Sequence, residues 1–280
     1  MIDLHSHSTA SDGALSPTGL VKYAKDKGLK AIAITDHDTV EGVEEALAAA
    51  KDFDLELVPG IEISAEFPEE TMHILGYYVD FKNQKFIDNI SVLQKARAER
   101  NPRIVKNLQK LGINIEYDEI LEEAGSGQVG RPHFAKVLIN KGYVKTTQQA
   151  FNRYLKKGAP GYEDKFRFQP EDAISYILNA GGIPVLAHPA TLKCKTDEEL
   201  ESELQKLVSY GLKGIEAYYP DHTNSQVEIY ISLADKYGLL ITGGSDFHGH
   251  NVKGIDLGTG KGKLEVPYEL LQKMKENHQQ

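Results

Sequence analysis

Met1-Ile2-Asp3-Leu4-His5-Ser6-His7-Ser8 is the stretch on which the reading of this chain depends. A short apolar run, Ile2 to Leu4, ends in two histidines spaced i and i+2. Side chains alternate along a strand, so both imidazoles point to one face. Two neutral imidazoles at a strand end suit a borderline divalent metal. Taken alone, the pair is also compatible with two surface histidines, and the rest of the chain has to separate the readings.

More residues of the ligand type recur beside apolar runs. Ala31 to Ile34 leads into Thr35-Asp36-His37-Asp38, and Leu55 to Val58 leads through Pro59-Gly60 into Ile61-Glu62-Ile63-Ser64. His73 opens Ile74-Leu75-Gly76-Tyr77. Ile183 to Ala187 ends in His188-Pro189, and Leu239 to Thr242 ends in Gly243-Gly244-Ser245-Asp246-Phe247-His248. A β/α barrel places chemistry in this way, with functional side chains at the ends of apolar strands. A series drawn from widely separated strands is hard to explain as packing, because buried imidazoles and carboxylates need partners.

From residue 1 to about 88 the sequence reads as alternating strand and helix, with a helix starting at Ser16-Pro17 and strands near Leu55 to Ser64 and Met72 to Asp80. Residues 89–168 read as helical: Val92 to Leu111, Asp118 to Ala124, Pro132 to Asn140 and Thr147 to Leu155. Alternation resumes at Pro170, giving roughly seven strand-helix units against the eight of a standard barrel. We therefore expect a barrel formed by residues 1–88 and 169–280, with 89–168 as an α-helical insertion domain. The formal net charge is -9, unevenly spread. Residues 89–168 hold 15 Lys+Arg against 8 Asp+Glu, and the remainder 17 against 33. A basic segment inserted in an acidic chain fits either an anionic ligand or a solvated helix face.

A hydrophobic content of 40% supports a full core. The single cysteine, Cys194, excludes an intrachain disulfide framework and Cys-rich zinc motifs. No apolar run is long enough to span a bilayer, and the chain enters a strand at once with no signal peptide. The expectation is a cytoplasmic protein with no membrane association and no obligatory protein partner.

Taken in order, His5-Ser-His7, Asp12-Gly13, Thr35-Asp36-His37-Asp38, Gly60-Ile-Glu62-Ile-Ser64, His73, His188-Pro189 and Asp246-Phe-His248 resemble the PHP (polymerase and histidinol phosphatase) phosphoesterases. The resemblance covers almost the whole chain and implies an α/β fold, a distorted (β/α)7 barrel that holds three divalent ions in one cleft. It implies that His5, His7, Glu62 and Asp246 hold the first ion. Glu62, His73 and His188 would hold the second, with Glu62 bridging, and Asp12, His37 and His248 the third. Some family members have His where this chain has Asp12, which makes the third site harder and oxygen-richer. Two to three divalent ions are thus expected. Manganese is favoured; iron and zinc also suit mixed His and carboxylate ligands. A water bridging two such ions becomes hydroxide near neutral pH, and the ions stabilise charge growing on the phosphoryl oxygens.

A helical insertion after the His73 strand, with Gly130-Arg131-Pro132-His133-Phe134, resembles the nucleotide-phosphatase branch, as does Tyr218-Tyr219-Pro220-Asp221-His222-Thr223. That branch removes phosphate from 3′,5′-nucleoside bisphosphates and trims short oligonucleotides from the 5′ end. The resemblance implies Glu62 and Asp246 as catalytic residues and Arg131 as the contact to the second phosphate, joined by His133 or His222. Arg131 opens a helix, where free N–H groups favour anions. His222 fits a phosphate contact, a leaving-group acid or a capping histidine. Of Asp36 and Asp38, one is expected to orient ligand imidazoles and the other to cap the helix after Thr39. Tyr77, Tyr78, Tyr218 and Tyr219 fit base stacking or packing. Competing readings are a histidinol-phosphate or other small phosphomonoester phosphatase, an amidohydrolase, and a non-catalytic nucleic-acid-binding module. Glu62 stands where an amidohydrolase usually needs a carboxylated lysine, and the last reading leaves the His and carboxylate set unexplained.

Overall fold

The computed structural model describes residues 1–68, 70–125 and 127–278. Helix α1, Pro17–Asp26, starts where Ser16 Oγ accepts the Gly19 N–H at 3.0 Å. Pro17 at its first position lacks only an N–H that a helix start leaves unpaired. Strand β1, Ala31–Ile34, is apolar and buried throughout, as befits a parallel strand covered on both faces. Helix α2, Val43–Asp52, follows.

Strands β2, Glu56–Glu66, and β3, Thr71–Tyr77, then pair antiparallel, with Ser64 opposite His73. Strand-helix alternation therefore stops here. Only four residues separate the two strands, and a parallel return needs a dozen or more. The chain continues through α3, Gln84–Lys110, α4, Tyr117–Ala124, and α5, Arg131–Asn140. Helix α6, Thr147–Ala150, runs into a π-helical turn over Phe151–Leu155. The remaining elements are α7, Pro170–Asn179, β4, Ile183–Leu186, α8, Asp197–Ser209, β5, Gly214–Tyr218, α9, Asn224–Tyr237, β6, Leu240–Gly243, and α10, Tyr268–His278.

The six strands lie in the sheet in chain order, β1 to β6. Pairing is parallel for β1–β2, β4–β5 and β5–β6, and antiparallel on both sides of β3. The sheet curls, because its two edges bind the same segment. Asp3 N–H donates to Ala31 and Ala33 N–H to Asp3 on the β1 side, while Leu4 N–H donates to Gly243 and Asp246 N–H to His5 on the β6 side. Histidines 5 and 7 thus sit where the two edges meet.

Helix α3 belongs to two apolar clusters. Phe86, Ile90 and Leu93 pack with Ile63, Ile74 and Ile174 of the sheet and α7. Ile104, Val105 and Leu108 pack with Phe134, Leu138 and Leu155 of the following helices. The helix therefore runs unbroken through residue 89, where the sequence reading places the edge of the insertion. No helix among the described residues is long and apolar enough to cross a membrane.

Candidate metal centre

Glu62 lies in the middle of β2, fully buried, and five imidazoles converge on its carboxylate. Oε1 lies 2.9 Å from His73 Nδ1, 3.0 Å from His188 Nε2 and 3.4 Å from His5 Nε2. Oε2 lies 2.7 Å from His37 Nδ1 and 3.4 Å from His7 Nε2. Asp246 Oδ1 stands 3.0 Å from His7 Nε2 and 3.5 Å from His5 Nε2. Asp12 Oδ1 is 3.2 Å from His248 Nε2. The residues singled out in the sequence as ligands are thus all in one place.

The backbone is bent to bring them there. His188 has φ 26° and Asp246 φ 55°, left-handed conformations that cost a non-glycine residue energy and cluster at functional sites. Asp38, beside His37, has φ 55° as well.

Three groups of donor atoms lie close enough to hold an ion: His5, His7, Glu62 and Asp246; His7, Asp12, His37 and His248; and His37, Glu62 and His73. The first coincides with the set expected for the first ion. The other two add His7 to the expected third set and bring His37 to the Glu62–His73 pair, while His188 stays within 3.3 Å of His73 Nδ1. The atoms themselves favour a cation. His5 Nε2, both ring nitrogens of His7, Asp12 Oδ1, His37 Nδ1, Glu62 Oε2 and Asp246 Oδ1 are buried without a hydrogen-bond partner. His37 Nδ1 and Glu62 Oε2 face each other at 2.7 Å. Such a gathering of unsatisfied buried groups is costly unless ions satisfy them, so the residues present fit divalent metal.

Burial and the neighbouring His248 and His37 push His7 down to about 3, and burial pushes His73 down to about 4 despite Glu62. Both imidazoles are therefore neutral, with lone pairs to offer. At His248 burial is outweighed by Asp12 and Asp246, which raise it to about 10.

The expectations for Asp36 and Asp38 are corrected. Asp36 accepts hydrogen bonds from Ser8 N–H at 2.8 Å, Ser8 Oγ at 2.7 Å and Ser11 Oγ at 2.6 Å, fastening the loop that carries Asp12. Asp38 accepts from Ser64 N–H at 2.8 Å and pairs with Arg97 and Lys165. Neither bonds an imidazole, and α2 has Gly42 at its N-cap with no side-chain cap. The residue that bonds a ligand imidazole from behind is Glu216 of β5. Its Oε1 lies 3.0 Å from His5 Nδ1, and its Oε2 accepts the His188 N–H at 2.8 Å. The sequence reading missed it, although a carboxylate inside the apolar run Gly214–Tyr218 was its signal. Tyr219 donates to Asp246 Oδ2 at 3.0 Å, and Tyr77 is core, its hydroxyl donating to the Leu4 carbonyl at 2.8 Å.

Beside this centre lies a group of cations. Arg97 and Lys165 meet on Asp38, and Lys165 also donates to Ser64 Oγ. Arg167 is held by Asp164 at 3.2 Å and by Thr71 Oγ1 at 3.0 Å. Arg100 and Arg131 meet no carboxylate among the described residues. Arg100, 3% exposed, donates to Asn101 Oδ1 at 2.9 Å. Arg131 donates to the Leu155 carbonyl at 3.3 Å and lies over the Tyr162 ring. Burial and the adjacent Arg97 and Arg131 hold Arg100 down to about 9.

The two histidines read as substrate contacts have defined faces. His133 Nδ1 accepts the Gly130 N–H at 2.9 Å, which leaves its Nε2 as a donor. His222 Nδ1 donates to the Ala217 carbonyl at 2.8 Å, and its Nε2 is buried without a partner. In the neutral ring that Nε2 carries a lone pair, free to accept a hydrogen bond and not to donate one.

Residues 3–162 match the family model described as the PHP domain. The chain belongs to the PHP domain family. Among its PHP relatives is a 3′,5′-nucleoside bisphosphate phosphatase from Chromobacterium violaceum, 33% identical over 258 residues, covering 92% of this chain and 90% of the relative. Another is a 5′-3′ exoribonuclease from Haemophilus influenzae, 36% identical over 249 residues, covering 88% of this chain and 89% of the relative. The fold matches the solved structure of a proposed metal-dependent phosphoesterase from Bifidobacterium adolescentis. The TM-score is 0.87 at 29% identity, over 98% of this chain and 94% of that one.

Proposed function

We propose that this protein releases phosphate from 3′,5′-nucleoside bisphosphates, yielding the 5′-monophosphate, and that the same site trims short oligoribonucleotides from the 5′ end. It is a metal-dependent phosphoric ester hydrolase of the PHP family. The observation that carries the substrate reading is the adjacency of two regions: unsatisfied buried lone pairs around Glu62, and the guanidiniums of buried Arg100 and half-buried Arg131, which meet no carboxylate among the described residues. One phosphate with bound cations satisfies the first, and a second phosphate on the same molecule satisfies the other.

In this reading His5, His7, Glu62 and Asp246 hold one ion, Glu62, His73 and His188 a second, and Asp12, His37 and His248 a third, with manganese first among the candidates. Divalent ions held there acidify a water and neutralise charge on the phosphoryl oxygens. Glu62 fixes the spacing of the donor groups, since its two oxygens face different imidazoles. Arg131 and Arg100 bind the second phosphate, with the His133 Nε2–H as a further donor. His222 accepts a hydrogen bond from a sugar hydroxyl or nucleophilic water through its free Nε2. Counting segment 2–6 as a seventh strand, the scaffold is a distorted (β/α)7 barrel. We assign the helical cluster from Ile104 to Leu155, within the expected 89–168, as the insertion that walls the cleft.

The test is phosphate release from adenosine 3′,5′-bisphosphate, with and without added manganese, with the nucleotide product identified by chromatography. The expected product is AMP, formed only with metal. Turnover of histidinol phosphate with none of the bisphosphate keeps the metal centre and overturns the role given to the arginines.

A further inference from the structure

We propose that Glu216 is a positioning residue that sets two metal ligands at once. The inference rests on the metal-centre reading above. Glu216 lies in β5, fully buried, and touches ligands contributed by two other parts of the chain. Oε1 lies 3.0 Å from His5 Nδ1. A carboxylate there accepts the Nδ1–H and leaves the Nε2 lone pair facing Glu62 and Asp246, at 3.4 and 3.5 Å. His5 is wholly buried, so without Glu216 this N–H loses its carboxylate acceptor.

The second oxygen acts on backbone. Oε2 accepts the His188 N–H at 2.8 Å, and His188 has φ 26°. That conformation is unfavourable for a residue with a Cβ, and a charge-assisted hydrogen bond helps to hold it. Held so, the His188 ring reaches Glu62 Oε1 at 3.0 Å. One buried carboxylate thus orients an imidazole of the first ligand set through its ring, and an imidazole of the second through its main chain.

Glutamine at this position keeps the shape and one acceptor oxygen, but it must turn an NH2 toward one of two donors. Alanine removes both contacts. The experiment compares manganese uptake by equilibrium dialysis with metal analysis for wild type, Glu216→Gln and Glu216→Ala. Apparent affinity is expected to fall about 10- to 100-fold in the alanine variant and less in glutamine. At saturating manganese, KM for the bisphosphate stays at the wild-type value. In zinc-loaded wild-type protein the His5 Nδ1–H is expected as a slowly exchanging downfield proton resonance, lost in Glu216→Ala. Should alanine not fold, the isosteric glutamine variant carries both readings. Wild-type uptake matched by equal uptake and an unchanged His5 resonance in the folded variants overturns this inference alone. A wild-type protein that takes up no metal overturns the metal-centre reading with it.

Discussion

The end of the curled sheet and the helices beside it are incomplete in opposite senses. Around Glu62 the chain gathers lone pairs, with five imidazoles on one carboxylate and several donor atoms unsatisfied. Around Arg100 it gathers donors, with Arg100 and Arg131 lacking any carboxylate among the described residues. Asp38 lies between the two regions. It binds Ser64 of β2 on one side and Arg97 of α3 and Lys165 on the other. Burying unpaired groups of one sign is costly, so a cation at the first region and an anion at the second would each be stabilising. The difference shows why one substrate with two phosphates suits the molecule, and why the acidic barrel can hold an anion at all.

The strongest way to break the comparison is Glu62→Ala. Phosphate release is expected to fall about a thousandfold or more, the several kcal/mol that bound metal contributes to such a transition state, with manganese uptake falling in parallel. Retained turnover would show that the lone pairs around Glu62 serve only the fold. Next comes Asp38→Asn, which removes the carboxylate that Arg97 and Lys165 share. It should cost about 3 kcal/mol in urea unfolding, and a stability within error of wild type would show that the regions are not joined through this carboxylate. Arg131→Ala sharpens the contrast. We expect kcat/KM for the bisphosphate to fall about 10- to 100-fold, the scale of one or two charged hydrogen bonds, with little change for a 3′-monophosphate. Equal loss on both substrates would take the second phosphate away from Arg131.

The smallest effect concerns pH. Burial pulls the Lys165 ammonium down to about 7, against the pull of Asp38. A base lowered by folding destabilises the fold when charged. The cost is complete below about 7, shrinks as pH rises and is gone above the usual lysine value of 10.5. The stability that depends on Lys165 therefore rises across that window. Unfolding of wild type and Lys165→Met at several pH values checks this, with a flatter slope expected in the variant.

The residues that converge around Glu62 were legible because they stand beside apolar runs, where side-chain alternation and position say much about direction. The bend that aims His188 and Asp246 was not, because left-handed backbone at a non-glycine residue leaves no mark in the sequence. Glu216 was hidden by the opposite circumstance, since it sits inside an apolar run where a single carboxylate is easily passed over. The basic excess of residues 89–168 fitted an anionic ligand and a solvated helix face alike. The meeting of Arg97, Arg100, Arg131, Lys165 and Arg167 is a product of tertiary packing that no local period encodes. Strand alternation was read correctly until β3, whose direction was decided by the shortness of the connection from β2.

The closure of the sheet by segment 2–6 has a consequence for how the protein is made. His5 and His7 leave the ribosome well before Asp246 and His248, with nearly all the described helices made in between. A nascent chain that has folded its early portion still lacks the carboxylate shared by those two histidines, and β6 is not yet there to fix the segment that bears them. No partial chain offers the first donor set whole. An ion that needs the whole first donor set is therefore captured only after Asp246 has been made and β6 has joined the segment.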